Sequence, residues 1–412
     1  MSLIKPFAGL RPVAGREAEV VAPPYDVMNR AEAKAMAEGR PWSFLHISRP
    51  EIDLPDETDP YDPVVYAKGR ENLDHMMGQG VLARDAQPCY YVYRLTMGKH
   101  VQTGIVAVAS VEAYDAGRIK KHEFTRPVKE DDRVRQIDSL NAQTGPVFLV
   151  YRAERTVDAI LAERSRGRPD MDVTAADGVR HEVWLIDDAE TLAQLTQAFE
   201  AMDALYVADG HHRSAAASRV AAARKAANPG HTGEESYNYF LSVIFPHDQM
   251  QILDYNRVVR DLNGLGREDF LARVGERFGV EPRSAAVRPM DNGRYGMYLQ
   301  GQWYCLGLRE EFRSDDPVRG LDVSLLADNL IDPVLGISDP RRDERIDFVG
   351  GIRGLGELEK RVDSGDWAVA FAVFPTSMEA LMRVADAGEV MPPKSTWFEP
   401  KLADGLVSHV LD

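Results

Sequence analysis

Asp209-Gly210-His211-His212-Arg213 sets a carboxylate, two imidazoles and a guanidinium around one glycine, directly after the apolar run Ala204-Leu205-Tyr206-Val207-Ala208. An alanine-rich stretch follows, with Ala216, Val220, Ala223 and Ala227 at helical spacing. A strand that turns at Gly210 into a helix presents unpaired backbone N–H groups and the positive end of a helix dipole, which together suit an anion. Gly210 lets a phosphate approach without meeting a Cβ. Arg213 adds a forked, permanently charged donor, expected in an exposed cleft where it supports no core. The chemistry expected of Asp209, Gly210, His211, His212 and Arg213 is phosphate binding. His211 and His212 point about 100° apart on a helix, so they are poor joint ligands for one metal; helical metal ligands usually stand three or four residues apart. The plainer alternative has one imidazole capping or packing and the other solvated.

Phosphoryl transfer needs cations for the equatorial oxygens, carboxylates for Mg²⁺, and a base for the attacking hydroxyl. Lys120-Lys121-His122-Glu123-Phe124-Thr125, followed by Glu130-Asp131-Asp132-Arg133, supplies each type. Lys121, His122, Glu123 and Arg133 are the catalytic candidates, with Glu123 as general base on chemical grounds. Asp132 or Asp209 would hold Mg²⁺. A solvated, salt-bridged turn would have the same composition. A third group is Met391 to Lys401, where Lys394 and Ser395, with Thr396 and Lys401, offer further phosphate donors. Its alternative is a stiff tail that packs Trp397 and Phe398. Gly350-Gly351-Ile352-Arg353-Gly354 is a weak phosphate signal because no Gly-Lys-Ser/Thr follows. Pro23-Pro24-Tyr25-Asp26-Val27 is a fixed turn that either presents Tyr25 and Asp26 to a ligand or serves architecture alone.

The elements that must position these groups alternate between short β-like runs and helical segments. Tyr90–Leu95, Thr103–Ala109, Val147–Tyr151 and Trp367–Phe374 read as strands. Glu19-Val20-Val21-Ala22 reads as another, stopped by Pro23-Pro24. Asn29 caps a helix through Glu38, with Glu32 at the capping-box position. Further helices run from Ala189 to Met202 and from Ser377 to Ala387. The 412 residues, 44% hydrophobic and 28% charged, describe an ordinary globular protein with room for two or three domains. A formal charge of -16 argues against a nucleic-acid-coating surface. Two cysteines, Cys89 and Cys305, provide neither a disulfide framework nor a cysteine-rich zinc site. The N-terminus lacks the apolar core of a signal peptide, and no run approaches the ~20 apolar residues of a membrane span. A cytoplasmic protein is expected.

Pro23–Val27, Lys121–Thr125 with Asp132-Arg133, Asp209–Arg213 and Met391–Lys401 occur in the order seen in a family of bacterial and archaeal proteins, domain of unknown function family 1015. The chain resembles that family over essentially its whole length. The Asp-Gly-His-His-Arg element is also similar, locally, to the phosphate-binding motif of the ParB/sulfiredoxin superfamily. That superfamily includes nucleotide-binding partition proteins, an ATP-using sulfinic acid reductase and kinases of free L-serine. The chain departs from the first two. The reductase chemistry needs a cysteine in the motif, and neither Cys89 nor Cys305 is near it in sequence. Partition proteins add a helix-turn-helix domain and a basic surface, and neither stands out here.

The resemblance therefore implies an ATP- or ADP-dependent kinase, with Mg²⁺, that phosphorylates the hydroxyl of a small free amino acid, L-serine to O-phosphoserine. The alternative is a non-catalytic nucleotide-binding regulator of ParB-like type. The expected fold is α/β (α+β), with mixed sheets, a ParB/sulfiredoxin-like nucleotide-binding core and additional α/β regions. Residues 1–245 are expected to hold the phosphate loop and the Lys121–Arg133 cluster. Residues 246–412 are expected to form a C-terminal α/β region ending in the Pro-Pro-Lys-Ser-Thr tail. The expected partners are a nucleotide and an amino acid, not nucleic acid or membrane, and a homodimer is compatible with both.

Overall fold

The computed structural model describes residues 2–412 and is a mixed α/β protein. The chain divides into two compact units, Met1–Met250 with Pro400–Asp412, and Gln251–Glu399. The division differs from a single cut near residue 245, because the last residues return to the first unit. There His409–Val410 pairs antiparallel with Ala142–Gln143, and Leu411 is fully buried against Ile137, Ala216 and Val220.

A nine-stranded sheet forms the first unit's centre. Its order runs Ile119–Lys120, Leu205–Asp209, Val147–Tyr151, Tyr239–Pro246, His100–Ser110, Tyr90–Met97, Arg180–Ile186 and Met171–Thr174; Ile4–Lys5 also pairs with His100–Ser110. Two neighbouring pairs are parallel, and the pair between them is antiparallel. Val147–Tyr151 and Tyr239–Pro246 are buried at every position. A strand covered on both faces must be apolar throughout, which explains why neither run alternates. The helix His211–Ala227 follows Leu205–Asp209, with Ala216, Ala217, Val220 and Ala221 all buried. Small side chains allow its close approach, and Pro127–Leu140 packs beside it through Ile137.

Most sequence-derived elements are present, with Arg30–Ala37 carrying the full Asn29/Glu32 capping box. One is not. Glu17–Val20 is a short helix rather than a strand, and Ala22 makes only an isolated bridge to Asp404. No neighbouring strand offers that segment a ladder, so local turn geometry prevails over the β preference of Val20 and Val21.

The second unit is built on a six-stranded sheet, antiparallel throughout, ordered Phe278–Arg283, Gln302–Leu308, Arg294–Leu299, Val369–Val373, Tyr255–Val259 and Ile346–Gly350. Leu358 and Val362, on the helix Gly356–Asp363, pack on it with Ala370 and Ala372. No helix among the described residues is long and apolar enough to cross a membrane.

Candidate functional site

Leu205–Asp209 bulges between Val207 and Asp209, where its register against Val147–Tyr151 shifts. The bulge delivers the chain to Gly210 in the left-handed region, φ 99°. A Cβ there would stand 3.3 Å from the Val147 Cα and from the Arg213 guanidinium carbon. Gly210 thus meets both a conformational and a steric demand. The 17-residue helix that follows has no side-chain cap. The N–H groups of Arg213 and Ser214 return to the Gly210 carbonyl at 2.8 and 3.0 Å. The earlier amides of His211 and His212 lie at the helix's positive end, ahead of any intrahelical acceptor.

The two imidazoles diverge, as their helical offset requires. His212 Nε2 accepts the Arg126 N–H at 3.0 Å. His211 turns inward, 4% exposed, and meets His122 edge-to-face with ring centroids 4.5 Å apart. The His122 N–H donates to His211 Nε2 at 3.5 Å, and His211 Nδ1 lies 3.8 Å from the Glu123 carboxylate. Arg219, on the same helix, holds Asp131 at 2.8 Å and Glu130 at 3.4 Å. The segment from His122 to Asp131 is therefore brought onto the loop. Burial holds the His122 pKa down at about 4, and burial beside His122 holds His211 well below its ordinary value, so both rings are neutral at pH 7.

Arg213 is not the exposed cleft residue expected of it. Only 10% of its side chain is exposed, and its guanidinium donates to the Pro146 carbonyl. Asp26 lies 3.7 Å from it and Asp209 3.9 Å. A carboxylate at the end of the bulged strand pulls the guanidinium inward, and burying so large a cation demands such partners. Burial alone would raise the Asp209 pKa, but Lys401 at 3.9 Å and Arg213 outweigh it and keep the carboxylate ionised. Asp404 shows the reverse balance. Burial first, then Asp26, push its pKa up to about 7 against the pull of Arg213.

Arg133 lies over the Tyr25 ring, 3.9 Å from its centroid, and is locked to Asp132 by two N–H donors at 2.7 and 3.1 Å. The other Asp132 oxygen accepts from the Tyr66 hydroxyl at 2.9 Å. Asp132 thus positions Arg133, and ligating Mg²⁺ would mean giving up those bonds. Lys121 places its ammonium 4.2 Å from the Tyr114 ring centroid. Lys394 and Ser395 belong to the second unit, where their contacts are internal. Lys394 takes φ 59° and lies over Tyr255, while the Ser395 hydroxyl donates to Pro392. The stretch Met391–Lys401 is therefore divided between units, with Lys401 alone of its donors reaching Asp209.

Sequence reasoning missed Asp404. Its backbone exchanges both hydrogen bonds with Ala22, which fixes the Pro23-Pro24-Tyr25-Asp26 turn beside Arg213. The local signal was Ala-Asp-Gly, which occurs at 176–178, 208–210 and 403–405 and so could not single out the two that meet. A cavity of about 150 Å³ opens between Tyr25, Ser48, Tyr61, Lys129, Asp132 and Arg133. A narrower space shares Tyr25 and Arg133 and extends to Arg213 and Asp404.

A family model described as protein of unknown function (DUF1015) matches residues 4–324, well over half of the chain and short of the Met391–Lys401 stretch. No curated protein matches. Similar solved structures include a free serine kinase variant in complex with AMP, 12% identical, TM-score 0.39, covering 76% of this chain and 93% of that one. A second is a free serine kinase variant in complex with ADP, 14% identical, TM-score 0.38, with coverages of 76% and 93%. A third is SbnI with C-terminal truncation from Staphylococcus aureus, 12% identical, TM-score 0.39, with coverages of 73% and 86%.

Proposed function

We propose that this chain, which belongs to the DUF1015 family, is a small-molecule kinase that transfers a phosphoryl group from ATP or ADP to the hydroxyl of a free amino acid, L-serine first among candidates. The observation that carries the reading is the uncapped helix start at Gly210 with the Glu123 carboxylate 3.8 Å from His211 in the next layer of contacts. The open amides of His211 and His212, with Lys401 and Arg213, would bind phosphate oxygens. The cavity beside Arg133 and Tyr25 is sized for a small zwitterion rather than a protein side-chain loop. In the reaction the serine oxygen bonds to the terminal phosphorus while the bridge to the leaving nucleotide breaks, and Glu123 takes the hydroxyl proton.

Mg²⁺ would draw charge from the phosphates, and Asp209 is the carboxylate suited to it, since hard cations choose oxygen and the two buried imidazoles do not fit. A non-catalytic nucleotide-binding regulator is the second reading. Full engagement of both Asp132 oxygens favours it, because the site then has one fewer carboxylate for a metal.

Glu123→Gln separates the two. General-base catalysis is worth about 10²–10⁴-fold, so turnover should fall by that order while nucleotide affinity and melting temperature hold. Serine-dependent nucleotide consumption that survives the substitution removes Glu123 from the base role. Nucleotide binding with no turnover by the unaltered protein supports the regulator.

A further inference from the structure

His122 is 2% exposed. Its Nδ1 has no hydrogen-bond partner among the described residues. A buried ring nitrogen left without a partner is unfavourable unless something fills the gap. A buried imidazole nitrogen without a hydrogen-bond partner, beside a second imidazole and a carboxylate, has the surroundings of a metal ligand. One ligand atom each from His122, Glu123 and His211 lies within 4.8 Å of the others.

We propose that His122, Glu123 and His211 bind one divalent first-row transition ion of the zinc type. Two imidazoles and one carboxylate suit Zn²⁺, Mn²⁺ or Fe²⁺, whereas Mg²⁺ and Ca²⁺ prefer all-oxygen sites. Metal–ligand lengths of about 2.0–2.2 Å put tetrahedral ligand atoms roughly 3.4 Å apart, so the widest separation must shrink by up to about 1.4 Å. The Glu123 side chain, half exposed, is the arm that can close it. His211 Nε2 now accepts the long contact from the His122 N–H, 3.5 Å, and would exchange it for the metal. His211 finds its companion in His122, 89 residues away in sequence, and not in the adjacent His212.

Three protein ligands leave at least one position for water or a phosphate oxygen. The site stands independently of phosphoryl transfer, but Glu123 cannot ligate this ion and accept a proton together. Bound zinc should therefore inhibit any kinase activity.

The test is calorimetric titration of the full chain, stripped with chelator, with zinc chloride and separately with magnesium chloride. One zinc per chain is expected, undisturbed by millimolar magnesium. Glu123→Gln and His122→Gln should each weaken zinc by more than the roughly 10–100-fold that loss of an outer partner costs. Glu123 is half exposed, so its variant should fold even if a change at His122 does not; circular dichroism checks both. Cobalt in place of zinc should give the visible absorption of a nitrogen- and oxygen-ligated tetrahedral ion. Absence of stoichiometric zinc binding by the folded protein, or affinity unchanged in Glu123→Gln, overturns the proposal. Because zinc is read by heat and colour, failure of the metal site and failure of the kinase reading remain distinct results.

Discussion

Arg213 answers to Asp26, Asp209 and Asp404 at once, from a side chain almost out of solvent. Its loss should therefore act twice. Arg213→Ala is expected to weaken nucleotide binding by about 1.5–3 kcal/mol, the range for a charged hydrogen bond. It should also cost about 1–3 kcal/mol of stability, because the Pro146 carbonyl and the buried Asp404 lose their cationic partner, while Asp26 and Asp209 stay partly in solvent. Arg213→Lys restores the charge but not the fork, so it should recover more stability than affinity. Calorimetry and denaturant unfolding on the two variants check this pattern; unchanged affinity in both would place the phosphate elsewhere. Glu123 is the opposite case, with a half-exposed side chain, so its substitution is read on turnover and on melting temperature together. Gly210 stands between them. Gly210→Ala must adopt φ near 99° and push on the Val147 backbone, and a loss of roughly 1–3 kcal/mol is expected.

The elements around the site differ in how far their sequence announced them. Leu205–Asp209, Gly210 and His211–Ala227 form one continuous strand, turn and helix, and their periods and the lone glycine made them readable. The pairing of Ile119–Lys120 beside Leu205–Tyr206 was not readable, though it is what brings His122 to His211. A two-residue strand carries no period, and its partner lies more than 80 residues away. The C-terminal return was hidden for the same reason. Lys401 and Asp404 matter only once His409–Val410 has paired with Ala142–Gln143. That return rests on Leu411, which is fully buried. Leu411→Ala should destabilise the first unit by about 2–5 kcal/mol in urea unfolding. A cost under about 1 kcal/mol would mean that the tail is only loosely attached.

At the scale of the whole molecule, buried ionisable groups tie stability to pH in opposite senses. Burial keeps His181 and His409 neutral, with pKa values of about 4 against an ordinary 6.5. Their contribution is complete above pH 6.5 and is lost as pH falls towards 4. Asp404, raised from 3.8 to about 7, contributes fully below 3.8, and its contribution is lost as pH rises through 7. Asp404→Asn should thus gain on the unaltered protein by about 1 kcal/mol between roughly pH 6 and pH 8. A difference in melting temperature that stays flat over that range would contradict the buried acid. The net charge of -16 sets the wider field, against which the cations gathered at Gly210 would have to draw a nucleotide. Kinase activity at that site is tested most directly by phosphorus NMR of the full chain with Mg-ATP or Mg-ADP and a pool of free amino acids. A new phosphomonoester resonance that appears with L-serine, and is lost in Glu123→Gln, is the expected result. Nucleotide resonances unchanged over many hours with every amino acid, in protein shown to bind the nucleotide, would contradict it.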